Sequence, residues 1–259
     1  MAGRLEGKVA IITGAGSGVG RTTAQRFAAE GARVACADIN RDAVNAVATE
    51  IGNSAIAIAV DVTKPVEVQA MVGTTVNAFG TVDALYANAG IGGSGSAMDI
   101  EFEEWNRMIA INLTGVWLCN KFVLPVMVKA GRGSIINQSS IGGLIGVPNV
   151  AHYAAAKGGV VALTRQMAVD FGPGGIRVNA VCPATMPTPL VKEVWMSGGS
   201  YVGTTGTWEE KQVVAAQKYP LRRLGSTEDC ASLVVFLASD ESSWMTGLAV
   251  PLDGGMAAA

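Results

Sequence analysis

Lys8-Val9-Ala10-Ile11-Ile12-Thr13-Gly14-Ala15-Gly16-Ser17-Gly18-Val19-Gly20 is the stretch on which the fold of this chain turns. Lys8 to Thr13 is a short apolar, β-branched run and predicts a buried strand. The glycines after it allow a positive φ, or the approach of a ligand too close for a Cβ. Arg21 to Glu30 reads as a helix that Gly31 stops. Strand, glycine-rich turn and helix in this order present backbone N–H groups to a phosphate at a helix N-terminus. The spacing is Gly-x-x-x-Gly-x-Gly over Gly14, Gly18 and Gly20, not G-x-G-x-x-G, because Val19 stands in that register.

The same alternation continues outward. Arg33 to Ala37 is a second strand ending in Asp38, twenty residues past Gly18. At that distance an acidic residue meets the adenosine ribose hydroxyls of a dinucleotide. A carboxylate repels a 2′-phosphate, and neither Ala15 nor Ser17 offers a basic group, so NAD is expected rather than NADP. A turn or helix cap is the other reading of Asp38. Helices are predicted over 41–51 and 65–79, the latter with Pro65 in its first turn. Between them, 55–60 is a strand leading into Asp61-Val62. Asp61 is placed to accept from an adenine amino group or to cap the next helix. Residues 83–86 form a strand that runs into Asn88-Ala89-Gly90. Residues 102–130 are a long helical segment, and Asn112, a poor mid-helix residue, predicts a kink or a buried polar contact there. Strands at 134–138, 176–181 and 248–252 alternate with helices at 152–172 and 229–238. The pattern predicts a doubly wound parallel sheet of seven strands, helices on both faces, in one domain over 1–259. Ligands of such sheets bind outside the carboxyl ends of the strands, where the residues named so far fall.

Composition narrows the partners. A net charge of −2 with no basic run argues against nucleic acid or an anionic membrane. The low charged fraction, 15%, and 33 glycines suit buried parallel strands joined by tight turns, and hint at subunit contacts. Cys36, Cys119, Cys182 and Cys230 are widely spaced and read as reduced core thiols, with no metal expected. The first residues are polar and lead straight into a strand, and no apolar run reaches membrane-spanning length. A cytoplasmic protein is therefore expected.

The chemistry gathers between residues 138 and 158. Tyr153 and Lys157 are four apart, separated by three alanines, so a helix sets them on one face. An adjacent ammonium favours a phenolate and is expected to pull the phenol down from its usual value near ~10, towards use as an acid and base. Ser140 precedes a loop rich in glycine and is placed to steady a carbonyl or alkoxide oxygen. His152 adjoins Tyr153 but points about 100° away on a helix, which suggests a helix-surface or substrate-rim position. Residues 190–220 carry Trp195, Tyr201 and Trp208 amid Gly and Thr, and read as a mobile flap over the site or as a surface insertion.

Thr13-Gly14-x-x-x-Gly18-x-Gly20, Asp61, Asn88-Ala89-Gly90, Asn112, Ser140, Tyr153-x-x-x-Lys157, Pro183 with Thr188, and Asp253-Gly254-Gly255 together resemble the short-chain dehydrogenase/reductase family over essentially the whole chain. The resemblance implies that Tyr153 gives and takes the proton and that Lys157 holds the nicotinamide ribose. Ser140 would orient the substrate oxygen, and Asn112 would position a water in a relay with Lys157. Ser140 lies 13 residues before Tyr153, the family's usual spacing, which favours it over Ser139. The implied cofactor-binding set is Gly14, Ser17, Gly18, Val19, Gly20, Asp38, Ile39, Asp61, Val62, Asn88, Ala89, Gly90, Tyr153, Lys157, Pro183, Met186 and Thr188. Ala184 replaces the family's glycine after Pro183. Family members are commonly homotetramers or dimers joined through the long helices, here those bearing Asn112 and Tyr153.

The expected activity is NAD-dependent interconversion of a secondary alcohol and a ketone. Leu144, Ile145, Val147 and the flap aromatics suggest a neutral apolar or cyclic substrate. Two alternatives stand beside it. A 3-oxoacyl-thioester reductase is opposed by Asp38 and the low charge. A non-enzymatic dinucleotide-binding sensor would have no reason to keep Ser140, Tyr153, Lys157 and Asn112 together.

Overall fold

Each apolar run of the sequence becomes a strand because its side chains are buried on both faces of one sheet. In the computed structural model, which describes residues 3–198 and 205–258, the strands are β1 (Val9–Thr13), β2 (Arg33–Asp38), β3 (Ala55–Ala59), β4 (Ala84–Ala87), β5 (Gly133–Gln138), β6 (Ile176–Pro183) and β7 (Ala249–Leu252). All pair in parallel, in the order β3-β2-β1-β4-β5-β6-β7. The order reverses between β1 and β4, and the crevice at their carboxyl ends is where this topology places a ligand.

Alternation along the strands divides the core in two. Ile11, Leu85, Ile135 and Val178 face α3 (Pro65–Phe79), α5 (Gly115–Ala130) and α6 (Ala151–Phe171). Ile12, Tyr86, Ile136 and Val181 face α1 (Gly18–Ala29), α2 (Arg41–Ile51) and α9 (Thr227–Ala238). Both layers are therefore mainly apolar.

The segment 102–130 is not one regular helix. It consists of α4 (Phe102–Ile109), a π-helical turn at Ala110–Thr114 and then α5. The turn is centred on Asn112, as its poor helix propensity suggested. The expectation that no apolar run here reaches membrane-spanning length needs correction: Phe102–Ala130 has the length, and an 18-residue window within it has a mean hydropathy of 1.4. A search for an uncharged run passes over it because Glu103, Glu104, Arg107, Lys121 and Lys129 interrupt it. Its Val116, Leu118, Val123 and Met127 are in the core against the sheet. The 190–220 segment contains two helices, α7 (Pro189–Met196) and α8 (Trp208–Ala216), and Tyr201 lies outside the described residues. All four cysteines are buried and free.

Candidate active site

The glycine-rich turn takes its shape from two different demands. Gly14 has φ +68° and Gly18 φ +50°, conformations that a side chain disfavours. Gly20 has an ordinary backbone, but a Cβ on it would overlap the Gly14 carbonyl oxygen. Helix α1 begins at Gly18, three residues earlier than the sequence suggested, and no side chain caps it. Its first-turn N–H groups, with the positive end of the helix dipole, therefore face the crevice. Asn88 fastens the turn from β4's side: its Nδ2 donates to the Thr13 carbonyl at 2.9 Å, and its backbone N–H donates to Thr13 Oγ1 at 3.0 Å.

Asp38 ends β2 with its carboxylate tied at both oxygens. Oδ2 accepts from Gly16 N–H and Oδ1 from Asn40 N–H, each at 2.9 Å. The turn reading and the ribose reading of Asp38 are thus compatible, since the bonds fix the carboxylate's orientation while leaving it lone pairs. Asp61 accepts from both the backbone N–H and the hydroxyl of Thr63 on one oxygen, Oδ1.

A cavity of about 680 Å³ runs along the carboxyl edge of the sheet. Of the expected residues, Gly14, Ser17, Gly18, Val19, Asp38, Ile39, Asp61, Val62, Asn88, Ala89, Gly90, Ser140, Tyr153, Lys157, Pro183, Met186 and Thr188 line it. Gly20 and Asn112 do not. Gly20 acts by close packing inside the turn. Asn112 is fully buried, and its side chain is committed to the backbone of Ile91: Oδ1 accepts from Ile91 N–H and Nδ2 donates to Ile91 O, both at 2.8 Å. The side chain holds the 90–93 loop rather than reaching the site. A dinucleotide fits the cavity on the structure's own terms, with an uncapped helix N-terminus, glycines where a Cβ would intrude, and an oriented carboxylate at one end.

At the other end stand Ser140, Tyr153 and Lys157. Ser139 and Ser140 are separated by their bonds: Ser139 Oγ donates to the Lys157 carbonyl at 2.8 Å, whereas Ser140 Oγ accepts from Gly142 N–H at 3.2 Å, reaches the Pro183 carbonyl at 3.5 Å and faces the Tyr153 phenol. Lys157 is buried, its Nζ donates to the Gln138 carbonyl at 2.9 Å, and desolvation pulls its pKa down to about 8. Tyr153 corrects the sequence expectation. Burial pushes its phenol up, and the group that opposes the shift is the Ser140 hydroxyl, not the Lys157 ammonium. The ammonium lies 5.7 Å from the centre of the Tyr153 ring.

His152 also departs from its expected place. It is fully buried between α4 and α6, neither ring nitrogen has a hydrogen-bond partner, and its Nε2 is 3.5 Å from Glu104 Oε1. The helical-wheel argument gave its direction correctly but not what lies there.

The substrate end is apolar. Val147, Val150, Leu190, Val194 and Trp195 line it, and Trp195 packs on Trp208 with ring centres 5.6 Å apart. Gly92 is small because α7 covers it; a Cβ there would sit 2.6 Å from Val194 Cγ2. The glycine-rich loop 91–96, which the sequence placed beside a substrate, contributes Ile91, Gly92 and Gly93 to the cavity, whereas sequence reasoning missed Gln138 and Arg107, which also line it.

An open sheet that carries a dinucleotide cradle at its switch point, with Ser140, Tyr153 and Lys157 gathered beyond it, defines a nicotinamide-dependent oxidoreductase. A family model described as enoyl-(acyl carrier protein) reductase matches residues 14–257. The chain is similar to 2-(S)-hydroxypropyl-CoM dehydrogenase 3 of Xanthobacter autotrophicus, 39% identical with all of both chains covered. It is similar to cyclohexanol dehydrogenase of an Acinetobacter species, 38% identical over 98% of this chain and 96% of the relative. Among solved structures, levodione reductase superposes with a TM-score of 0.93 at 35% identity, over 98% of this chain and 99% of the other. The 3-ketoacyl-(acyl-carrier-protein) reductase of Brucella melitensis complexed with NADH gives 0.87 at 37% identity, over 97% and 99%. The protein belongs to the short-chain dehydrogenase/reductase family, and it is an NAD-dependent oxidoreductase of that family.

Proposed function

We propose that the protein interconverts a neutral, apolar or cyclic secondary alcohol and its ketone, with Tyr153 as the acid and base. The observation that carries this reading is the grouping of Ser140, Tyr153 and the buried Lys157 on one cavity wall, opening on a pocket walled by Val147, Leu190, Val194 and Trp195. When bound, NAD supplies the hydride chemistry. The chain's residues do the rest. Ser140 donates to the substrate oxygen and fixes its distance from Tyr153. Tyr153 takes the hydroxyl proton in oxidation and returns it in reduction. Because burial holds the phenol up, Tyr153 is the acid at neutral pH, and oxidation gains as the pH rises. Lys157, with N–H groups left over from the Gln138 bond, is placed to hold the nicotinamide ribose. Asn112 keeps the 90–93 loop in place, and any water relay to Lys157 would run past Gly90. Asp38 would receive the adenosine ribose and Asp61 the adenine. Trp195 and the apolar wall would exclude water.

The same reading makes the chain one domain that acts in the cytoplasm as a homotetramer or dimer. The partially exposed Trp117 and the exposed Val128 and Val169 on the outer faces of α5 and α6 support association there. A second reading, reduction of a 3-oxoacyl thioester, draws on the likeness to the Brucella enzyme. The test is absorbance at the reduced-nicotinamide band with NAD, then NADP, across neutral secondary alcohols, cyclic ketones and a 3-oxoacyl thioester. Turnover of a neutral alcohol with NAD is expected. Turnover confined to the thioester would transfer the site to the second reading. NADH binding with no turnover on any compound would favour a sensor.

A further inference from the structure

We propose that Gln138 is a positioning residue of this site, holding Lys157 through its main-chain carbonyl and held in turn by the Tyr86 hydroxyl. The proposal rests on the role given to Lys157 above. Gln138 is the last residue of β5, where the chain leaves the sheet for Ser139 and Ser140. Its neighbours face α6: Asn137 Nδ2 donates to Thr164 Oγ1 at 3.0 Å, and Ser139 Oγ to the Lys157 carbonyl. Strand alternation sends the Gln138 side chain to the opposite face. There Tyr86, fully buried on β4, donates its hydroxyl to Gln138 Oε1 at 2.5 Å and lies 3.6 Å from Cys230 Sγ on α9.

Tyr86 does not titrate in the working range, because burial pushes its phenol well above the ordinary value. It is therefore a permanent donor. A permanent donor sets the amide's orientation, with Oε1 towards Tyr86 and the NH₂ group turned away. That NH₂ group bonds to none of the described residues, and Gln138 lines the cavity. One residue is thus tied at its side chain to the α9 side of the sheet and at its carbonyl to the ammonium on the α6 side. The carbonyl favours the charged lysine, whereas burial disfavours it. Loosening the end of β5 weakens the first effect and leaves the second.

The experiment uses the full chain with Tyr86→Phe, Gln138→Met and the double substitution. Lys157 is followed by NMR of ¹³C-labelled lysine without cofactor, and kcat against pH is measured with NAD and a turned-over alcohol. Each single substitution is expected to move the Lys157 titration below about 8 and to lower kcat about three- to tenfold, the scale of one hydrogen bond. The double should be no worse than the worse single, since both break one linkage. A native titration and native kcat in both singles, with only a lower Tm, would overturn the proposal; so would additive effects in the double. Should Gln138→Met not fold, Tyr86→Phe alone decides between these outcomes. Tyr153→Phe, measured alongside, separates the two ideas. Turnover surviving there defeats the catalytic reading, whereas its loss with native behaviour in Tyr86→Phe defeats this inference alone.

Discussion

The two ends of the cavity are built by opposite means. At the adenosine end the shape is made by backbone and short polar side chains, each with a counted partner: Asp38 on Gly16 and Asn40, Asn88 on Thr13, Gly20 against Gly14. At the substrate end it is made by apolar bulk, with Trp195 on Trp208 and α7 lying over Gly92. A hydrogen-bonded wall admits few residue types, whereas an apolar wall admits any that fill the volume. The first end can be conserved in chemistry while the second changes its ligand.

Substitutions at each end should separate the two functions, and the largest effect belongs where the ends meet. Tyr153→Phe should lower kcat about a thousandfold, within the range of a lost acid–base group, with NADH affinity by fluorescence changed less than about twofold. Comparable losses in both would mean the ends are not separable. Trp195→Leu should change the ratio of kcat/KM between a large cyclic and a small alcohol by roughly tenfold or more, again at near-native NADH affinity. An effect on NADH alone would move Trp195 to the cofactor's end. Across pH, with Tyr153 protonated at neutrality, the oxidation rate should rise by up to about tenfold per unit below the phenol's pKa. Reduction should fall over the same range, and a flat oxidation profile would assign the proton to another group. The smallest effect is expected from Asp38→Ala. It should narrow the preference for NAD over NADP by about fivefold, near 1 kcal/mol, without changing the choice of alcohol. An unchanged ratio would show that the ribose is held elsewhere.

The same division explains what could be read without a structure. Ile11 and Ile12 announce a strand by composition, and Gly14, Gly18 and Gly20 announce a cradle by spacing, because backbone geometry leaves few alternatives there. Asn112 gave away the irregular turn because nothing in a regular helix rewards an asparagine. What stayed hidden depends on neighbours distant in sequence. Nothing in the spacing of Gly16 shows that its N–H donates to Asp38, 22 residues on. His152 pointed off the catalytic face as expected, but α4 lies in that direction and buries it. Tyr86 and Gln138 are 52 residues apart, and each alone reads as an ordinary strand residue. The phenol of Tyr153 was assigned the wrong direction because the i, i+4 rule supplies a charge and says nothing of the desolvation that opposes it.

The π-helical turn at Ala110–Thr114 has a consequence for how this chain can be shortened. Such a turn holds one residue more than an α-helical turn. Deleting a single residue within it would give a smoother and more regular helix. Because the wide turn absorbs that residue within itself, α4 and α5 would keep nearly their present facing, but the backbone that sets the Asn112 side chain on Ile91 would be lost. An aligner scanning for economy would count the residue as surplus. Here the surplus residue is what gives Asn112 its place against the 90–93 loop, and regularity would be the lesion.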